Sequence, residues 1–221
     1  MLKLFLLEGR RLTMFVDEVI NYICEKECGP REYELLNSLA SIFIEFPIDN
    51  EPPSSAVVAL AANCGAALPN ALASGLSCIS DQHLPIEQIA KFISLNYNES
   101  PSEVFRQFKN KNLKIPGFGH PSIKGEDDRV IKLKNNFKDL YGDRTRFCIQ
   151  LERHMPVPMN IGCIIASLSL DNGIKANNCI YLPLMGRMLG WLKLYNKTKT
   201  RFNKVVPSFE NIKNDNQEIS K

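Results

Sequence analysis

The 221 residues contain only three histidines, His83, His120 and His154. His120 has the most distinctive setting. Lys114-Ile115-Pro116-Gly117-Phe118-Gly119-His120-Pro121 places its imidazole directly after a Gly-Phe-Gly run and between two prolines. Glycine reaches positive φ at little steric cost, and proline fixes φ on either side, so this run predicts a rigid loop that presents one imidazole. Arg129 follows in Lys124-Gly125-Glu126-Asp127-Asp128-Arg129, a planar fork suited to a carboxylate or phosphate. An ordinary Gly/Pro surface loop fits the same residues equally well. Arg187 lies in the apolar run Met185-Gly186-Arg187-Met188-Leu189-Gly190-Trp191, and a guanidinium there needs an internal acid or a bound anion. His83 follows a helical stretch and, taken alone, reads as a helix-end polar residue.

Helices must position these groups. Apolar spacing predicts helices over Phe15–Cys28, Glu32–Phe46, Ser55–Cys64, Leu68–Ile79, Leu84–Leu95 and Pro101–Asn110. Beyond the loop it predicts Val130–Tyr141, Thr145–His154, Ile161–Leu170 and Ala176–Gly190, continuing to Tyr195. Gly29-Pro30 reads as a helix stop, and Ser54 or Ser55 as an N-cap. Residues 196–221 are polar and read as extended or frayed. With no run of alternating strands, the expected class is all-α. The two alanine-rich helices suggest close helix packing or a subunit interface.

Hydrophobic content of 44% and charged content of 23% are ordinary for a globular chain. A net charge of +3 is too small to argue for nucleic acid. Met1–Leu7 is apolar but short, and Glu8 ends it, which fits neither a secretory signal nor a membrane span. Seven scattered cysteines without CxxC pairs read as reduced thiols of a cytoplasmic protein. Cys24 and Cys28 share a helix face, but no second ligand pair stands at metal-binding spacing, so no metal is expected.

Pro116-Gly117-Phe118-Gly119-His120 with Lys124–Arg129 resembles the P-G-[FY]-G-H…D-P-R signature of the citrate synthase family. The segment from Phe15 to Ile86 resembles the compact citryl-CoA lyase-like branch, with Ser80-Asp81-Gln82-His83-Leu84-Pro85 where that branch has a G-D-H-H-G-G loop. Gly186-Arg187-Met188-Leu189-Gly190-Trp191 resembles G-R-[TS]-x-G-[WF]. The matches run in order over roughly residues 15–195. The resemblance implies a large helical dimerisation domain, 1–84 with 166–221, and a small domain, 85–165, that closes on the substrate. It implies a homodimer, no bound cofactor, and a coenzyme A thioester and a keto-dicarboxylate as substrates. No nucleic acid and no membrane are expected.

By the same resemblance, His120 hydrogen-bonds the keto carbonyl and Arg129 binds the adjoining carboxylate. His83 hydrogen-bonds the thioester oxygen, and Arg187 contacts a substrate carboxylate. Arg201 is the counterpart of an arm arginine given to the other subunit. The departures are specific. Asp128 replaces a proline, Leu84-Pro85 replace two glycines, and Asp49-Asn50-Glu51 replace a loop whose histidine binds dicarboxylate. Asn50 still offers a hydrogen-bond donor there. Pro158-Met159-Asn160-Ile161-Gly162 stands where a P-N-V-D motif supplies the general base, and glycine accepts no proton.

The implied function is carbon–carbon bond formation or cleavage between an acyl-CoA and a keto acid, impaired because Gly162 replaces the catalytic aspartate. The alternative is a non-catalytic homologue that binds a coenzyme A thioester or dicarboxylate as a sensor or as partner of an active subunit. The retained His83, His120, Arg129 and Arg187 favour the enzyme; Gly162 and Leu84-Pro85 favour the alternative.

Overall fold

A computed structural model describes residues 15–24, 28–44, 52–121 and 123–202. The described residues are all-α. They form α1 (Phe15–Cys24), α2 (Pro30–Ser41), α3 (Pro53–Asn63), α4 (Leu68–Leu76), α5 (Ile86–Asn96) and α6 (Pro101–Asn110). Then come α7 (Asp128–Asn136), α8 (Asp143–Glu152), α9 (Ile161–Asp171) and α10 (Tyr181–Phe202). The extended pairings among them are two isolated bridges, Ser80 with His83 and Phe118 with Met159. No helix among the described residues is long and apolar enough to cross a membrane.

The chain divides into two compact units. One holds the described residues up to Phe43 together with Leu84–Gly186; the other holds those from Ile44 to His83 and from Arg187 onward. In that division α2 and α9 group with α5–α8. In the first unit α9 is the axis. Its run Ile161–Leu170 is buried on every side, as a helix apolar all round must be. Helices α5, α7 and α8 pack on it. In the second unit α3 and α4 pack together, with Val58, Ala62, Ala71, Trp191 and Tyr195 as the buried centre. Alanines and Gly75 allow that approach: a Cβ on Gly75 would lie 2.5 Å from Val58 Cγ2 and 3.1 Å from the Trp191 ring.

Several helix ends differ from the spacing-based expectation, each for a local reason. Gly29-Pro30 starts α2, two residues before the expected Glu32, since proline is pre-set for the first helical position and Gly29 N–H donates to Glu32 at 2.6 Å. Proline plays the same part at the start of α3, where Pro52 is the cap and Pro53 the first residue. Ser54 and Ser55 therefore lie inside α3, both buried, with their hydroxyls used elsewhere. The polar stretch from Asn196 to Phe202 is helical, not extended. Trp191, Tyr195 and Thr198 recur at i, i+4 and i+7 as the buried stripe of α10, so its polar residues are the outward face. Tyr195 Oη donates to the Ala66 carbonyl at 3.0 Å and ties that stripe to the α3–α4 turn.

Candidate functional site

The His120 loop is held by the chain that leads into α9. Gly119 N–H donates to the Pro158 carbonyl at 2.8 Å, and Asn160 N–H donates to the Gly117 carbonyl at 2.9 Å. Asn160 Nδ2 adds a bond to the Gly119 carbonyl, also at 2.9 Å. Gly117 and Gly119 have φ of 94° and 78°, the left-handed region that glycine enters without strain. A Cβ on Gly117 would lie 2.8 Å from Cys163 Cβ, so the loop rests directly on the first turn of α9. Ile123 N–H donates to His120 Nδ1 at 3.0 Å. The neutral ring then carries its proton on Nε2, as a donor. Partial burial, then the nearby Arg129 charge, lowers the His120 pKa, with Asp127 pulling the other way.

Arg129 lies in the first turn of α7. Asp127, the N-cap, accepts Arg129 N–H at 2.9 Å and also grips the guanidinium, with Nε at 3.0 Å and Nη2 at 2.7 Å. Burial alone would raise the Asp127 carboxyl, but the Arg129 hydrogen bonds outweigh it and hold the pKa below the usual range. The arginine therefore offers its Nη1 edge in a fixed plane. Asp127 was not singled out by the sequence reading; an acid two residues before the arginine, at a helix start, is the signal that would have found it.

In the other unit, His83 Nε2 lies 2.8 Å from Ser54 Oγ, and the Ser80–His83 bridge closes the turn. Arg187, only 3% exposed, lies in α10. Burial first, and then the Arg187 charge, lowers the His83 pKa. Leu84 takes up φ of 62°, a left-handed conformation that glycine would adopt at less cost. The structure thus gathers His120 with Arg129 in one unit and His83 with Arg187 in the other. Arg201 falls within α10, and Asn50 lies outside the described residues.

Both depressed histidines give a pH prediction. Folding favours the neutral rings, while the unfolded chain takes up protons near pH 6.5, about the free value. Below that pH the unfolded chain binds more protons, so stability rises with pH through the window and falls as pH drops. The urea midpoint is expected to fall as the pH drops below about 6.5, and to fall less in His83→Gln. An unchanged slope in that variant would contradict the burial of a neutral ring.

Beside the His120 loop lies a cavity of about 670 Å³. Phe105, Phe108 and Phe118 form its aromatic walls, with Lys109, Lys114 and His154 among its polar lining. His154 stacks on Phe105 at 6.2 Å. Apolar walls with a few cationic groups suit an elongated organic ligand carrying negative charge. Of these residues the sequence reading gave a role only to the loop; α6 looked like an ordinary amphipathic helix.

No protein-family model matches the sequence, and no curated protein sequence does. Solved structures match. Citryl-CoA lyase from Hydrogenobacter thermophilus aligns over 89% of this chain and 81% of its own, with TM-score 0.78 and 19% identity. Citrate synthase from Thermotoga maritima aligns over 82% of this chain and 52% of its own, with TM-score 0.70 and 18% identity. ATP citrate lyase from Methanothrix soehngenii, solved in complex with citrate and coenzyme A, aligns over 89% of this chain and 36% of its own, with TM-score 0.74 and 18% identity. The fold is that of citrate synthase.

Gly162 lies in the first turn of α9, two residues after the N-cap Asn160. A Cβ built on it lies 2.8 Å from Ile89 Cδ1, 3.2 Å from Asn160 Oδ1 and 3.9 Å from Ile86 Cγ1. The direction a side chain would take is thus occupied by the apolar face of α5. Gly162→Asp is expected to destabilise the protein by about 1–3 kcal/mol, since it overpacks Ile89 and desolvates a carboxylate. The helix N-terminus returns only about 0.3–1 kcal/mol. An unchanged urea midpoint in that variant would contradict this placement.

Proposed function

We infer that this chain binds a coenzyme A thioester and a keto-dicarboxylate on a citrate synthase fold, and that it does not abstract a proton by a carboxylate at position 162. The carrying observation is the Gly162 environment, where Ile89 of α5 stands in the direction of any side chain; the family resemblance puts the general base at this position and the recognition groups at His83, His120, Arg129 and Arg187. His120 presents an Nε2 donor suited to a keto carbonyl. Asp127 holds Arg129 in one plane for a carboxylate. His83, oriented by Ser54, suits a thioester oxygen, and Arg187 suits a second carboxylate. The aromatic cavity with Lys109 and Lys114 suits the long anionic body of the thioester. The structure of Methanothrix ATP citrate lyase with citrate and coenzyme A supports this ligand class.

The same reading takes the chain as a cytoplasmic homodimer, with 1–84 and 166–221 as the dimerising part and 85–165 as the closing part. Exposed Leu60 and Leu76 on the small-residue helices α3 and α4, with exposed Leu189 and Leu192 on α10, support a second copy as the cover. A slow enzyme is the second reading, favoured by the retained His83, His120, Arg129 and Arg187. There a water or the substrate's own carboxylate replaces the base, at a cost of about 10²–10⁴-fold in rate.

Calorimetric titration tests the binding. Acetyl-CoA and oxaloacetate are expected to bind the natural protein. Arg129→Met is expected to weaken oxaloacetate by about 10–100-fold, the worth of hydrogen bonds to a charged group. No binding of any coenzyme A thioester, or oxaloacetate affinity unchanged in both His120→Ala and Arg129→Met, would overturn the reading.

A further inference from the structure

We propose that Glu152 is a positioning residue for the His120 loop. Phe118 and Met159 face each other across an antiparallel bridge. The bonds on either side of that pair, Gly119 to Pro158 and Asn160 to Gly117, make it a pair that exchanges no hydrogen bonds of its own. The Met159 N–H therefore points away from the loop. Met159 is 1% exposed, so that N–H needs a protein acceptor. Glu152 supplies it: Oε1 accepts Met159 N–H at 2.8 Å.

The other oxygen of Glu152 is held at 2.6 Å by Lys134 Nζ. The two side chains are only 19% and 18% exposed. Glu152 ends α8, and Lys134 lies in the last turn of α7, the helix whose first turn carries Arg129. One carboxylate thus joins three pieces: the strap that holds Gly117 and Gly119, the helix that carries Arg129, and α8. Its effect on His120 runs through the strap. That the imidazole then meets a ligand rests on the reading above; the positioning itself is measurable without one.

The three histidines make the test direct. Protein labelled with 15N and 13C in histidine is compared as natural chain, Glu152→Ala and Glu152→Gln. Glutamine keeps an acceptor for Met159 N–H. His154 stands two residues from the substitution and will move in any case, whereas His83 lies in the other compact unit and is the control. The expected result is a shifted, broadened His120 signal in Glu152→Ala, His83 in place, and His120 restored in Glu152→Gln. Oxaloacetate affinity should fall at least about tenfold in the alanine variant and within about twofold in the glutamine variant. A His120 signal that is unchanged, that moves only together with His83, or that moves as far in Glu152→Gln would overturn the proposal. If Glu152→Ala does not fold, native-state hydrogen exchange of the natural protein decides. The amides of Met159, Gly119 and Asn160 should exchange through one shared opening, and separate openings would overturn the proposal. Absence of ligand binding with a normal histidine result would defeat the functional reading and leave the positioning intact.

Discussion

Trp191→Ala is expected to destabilise the protein by about 3–5 kcal/mol, read as a lowered urea midpoint by circular dichroism. Trp191 is fully buried in a cluster that, among the described residues, has Val58, Ala62, Ala71 and Tyr195 as its other buried members. The indole is by far the largest side chain there, and the alanines around it have nothing to extend into the space. The indole Nε1–H donates to Ser55 Oγ at 3.1 Å, so truncation also strands a buried hydroxyl. Against a typical total stability of about 5–15 kcal/mol, this is a large share. The damage reaches the candidate site. Ser55 is next to Ser54, which orients His83, and Arg187 lies one turn before Trp191 on α10. Trp191→Phe keeps most of the ring and should cost clearly less. A loss below about 1 kcal/mol in Trp191→Ala would show that the indole is not the centre of this unit.

Asp171→Ala is expected to cost a comparable 3–5 kcal/mol, because it strands buried helix-start amides at about 1–3 kcal/mol each. The Asp171 carboxylate is 1% exposed and accepts three backbone N–H bonds at the start of α8. The donors are Gly142 at 2.9 Å, Arg144 at 3.1 Å and Thr145 at 2.9 Å. They are the amides a helix start leaves without intrahelical partners, so one remote acid caps α8 from the end of α9. Alanine removes all three acceptor contacts. Asparagine keeps one acceptor oxygen and should fall between. Gly142 belongs to the same device, since a Cβ there would lie 2.6 Å from the Asp171 carboxyl carbon. Because α8 ends in Glu152, a melted first turn should also loosen the strap under His120. Urea unfolding of Asp171→Ala and Asp171→Asn checks the order, and equal stability in all three proteins would contradict it.

Much of the fold was legible because the apolar spacing is strong. The stripes of α2 and α5, the full burial of α9, and Pro101 at the start of α6 all follow from local sequence. What the sequence did not show depends on tertiary partners. Ser54 and Ser55 look like caps until His83 and Trp191 are seen to claim their hydroxyls. The end of α10 looks like a polar tail until Tyr195 finds the Ala66 carbonyl. Leu84 in a left-handed conformation breaks a local preference and has no sequence signature. Within the candidate site, the Gly-Phe-Gly-His loop and a glycine at position 162, where the resemblance implies a carboxylate, were readable directly. The filling of that position by Ile89 was not, since it depends on how α5 crosses the start of α9. Asp127 and Glu152 were missed because each acts through another residue.

The central claim is binding without carboxylate-driven proton abstraction. Its most direct measurement is deuterium uptake. Acetyl-CoA and oxaloacetate are held with the natural protein in D2O, at concentrations that titration has shown to saturate it. The thioester is then recovered and its methyl group weighed by mass spectrometry, together with any citrate-type product. No protein-dependent deuterium in the methyl group and no condensed product are expected. Deuterium uptake that requires the protein and disappears in His83→Ala or His120→Ala would contradict it, and would mean that another group abstracts the proton.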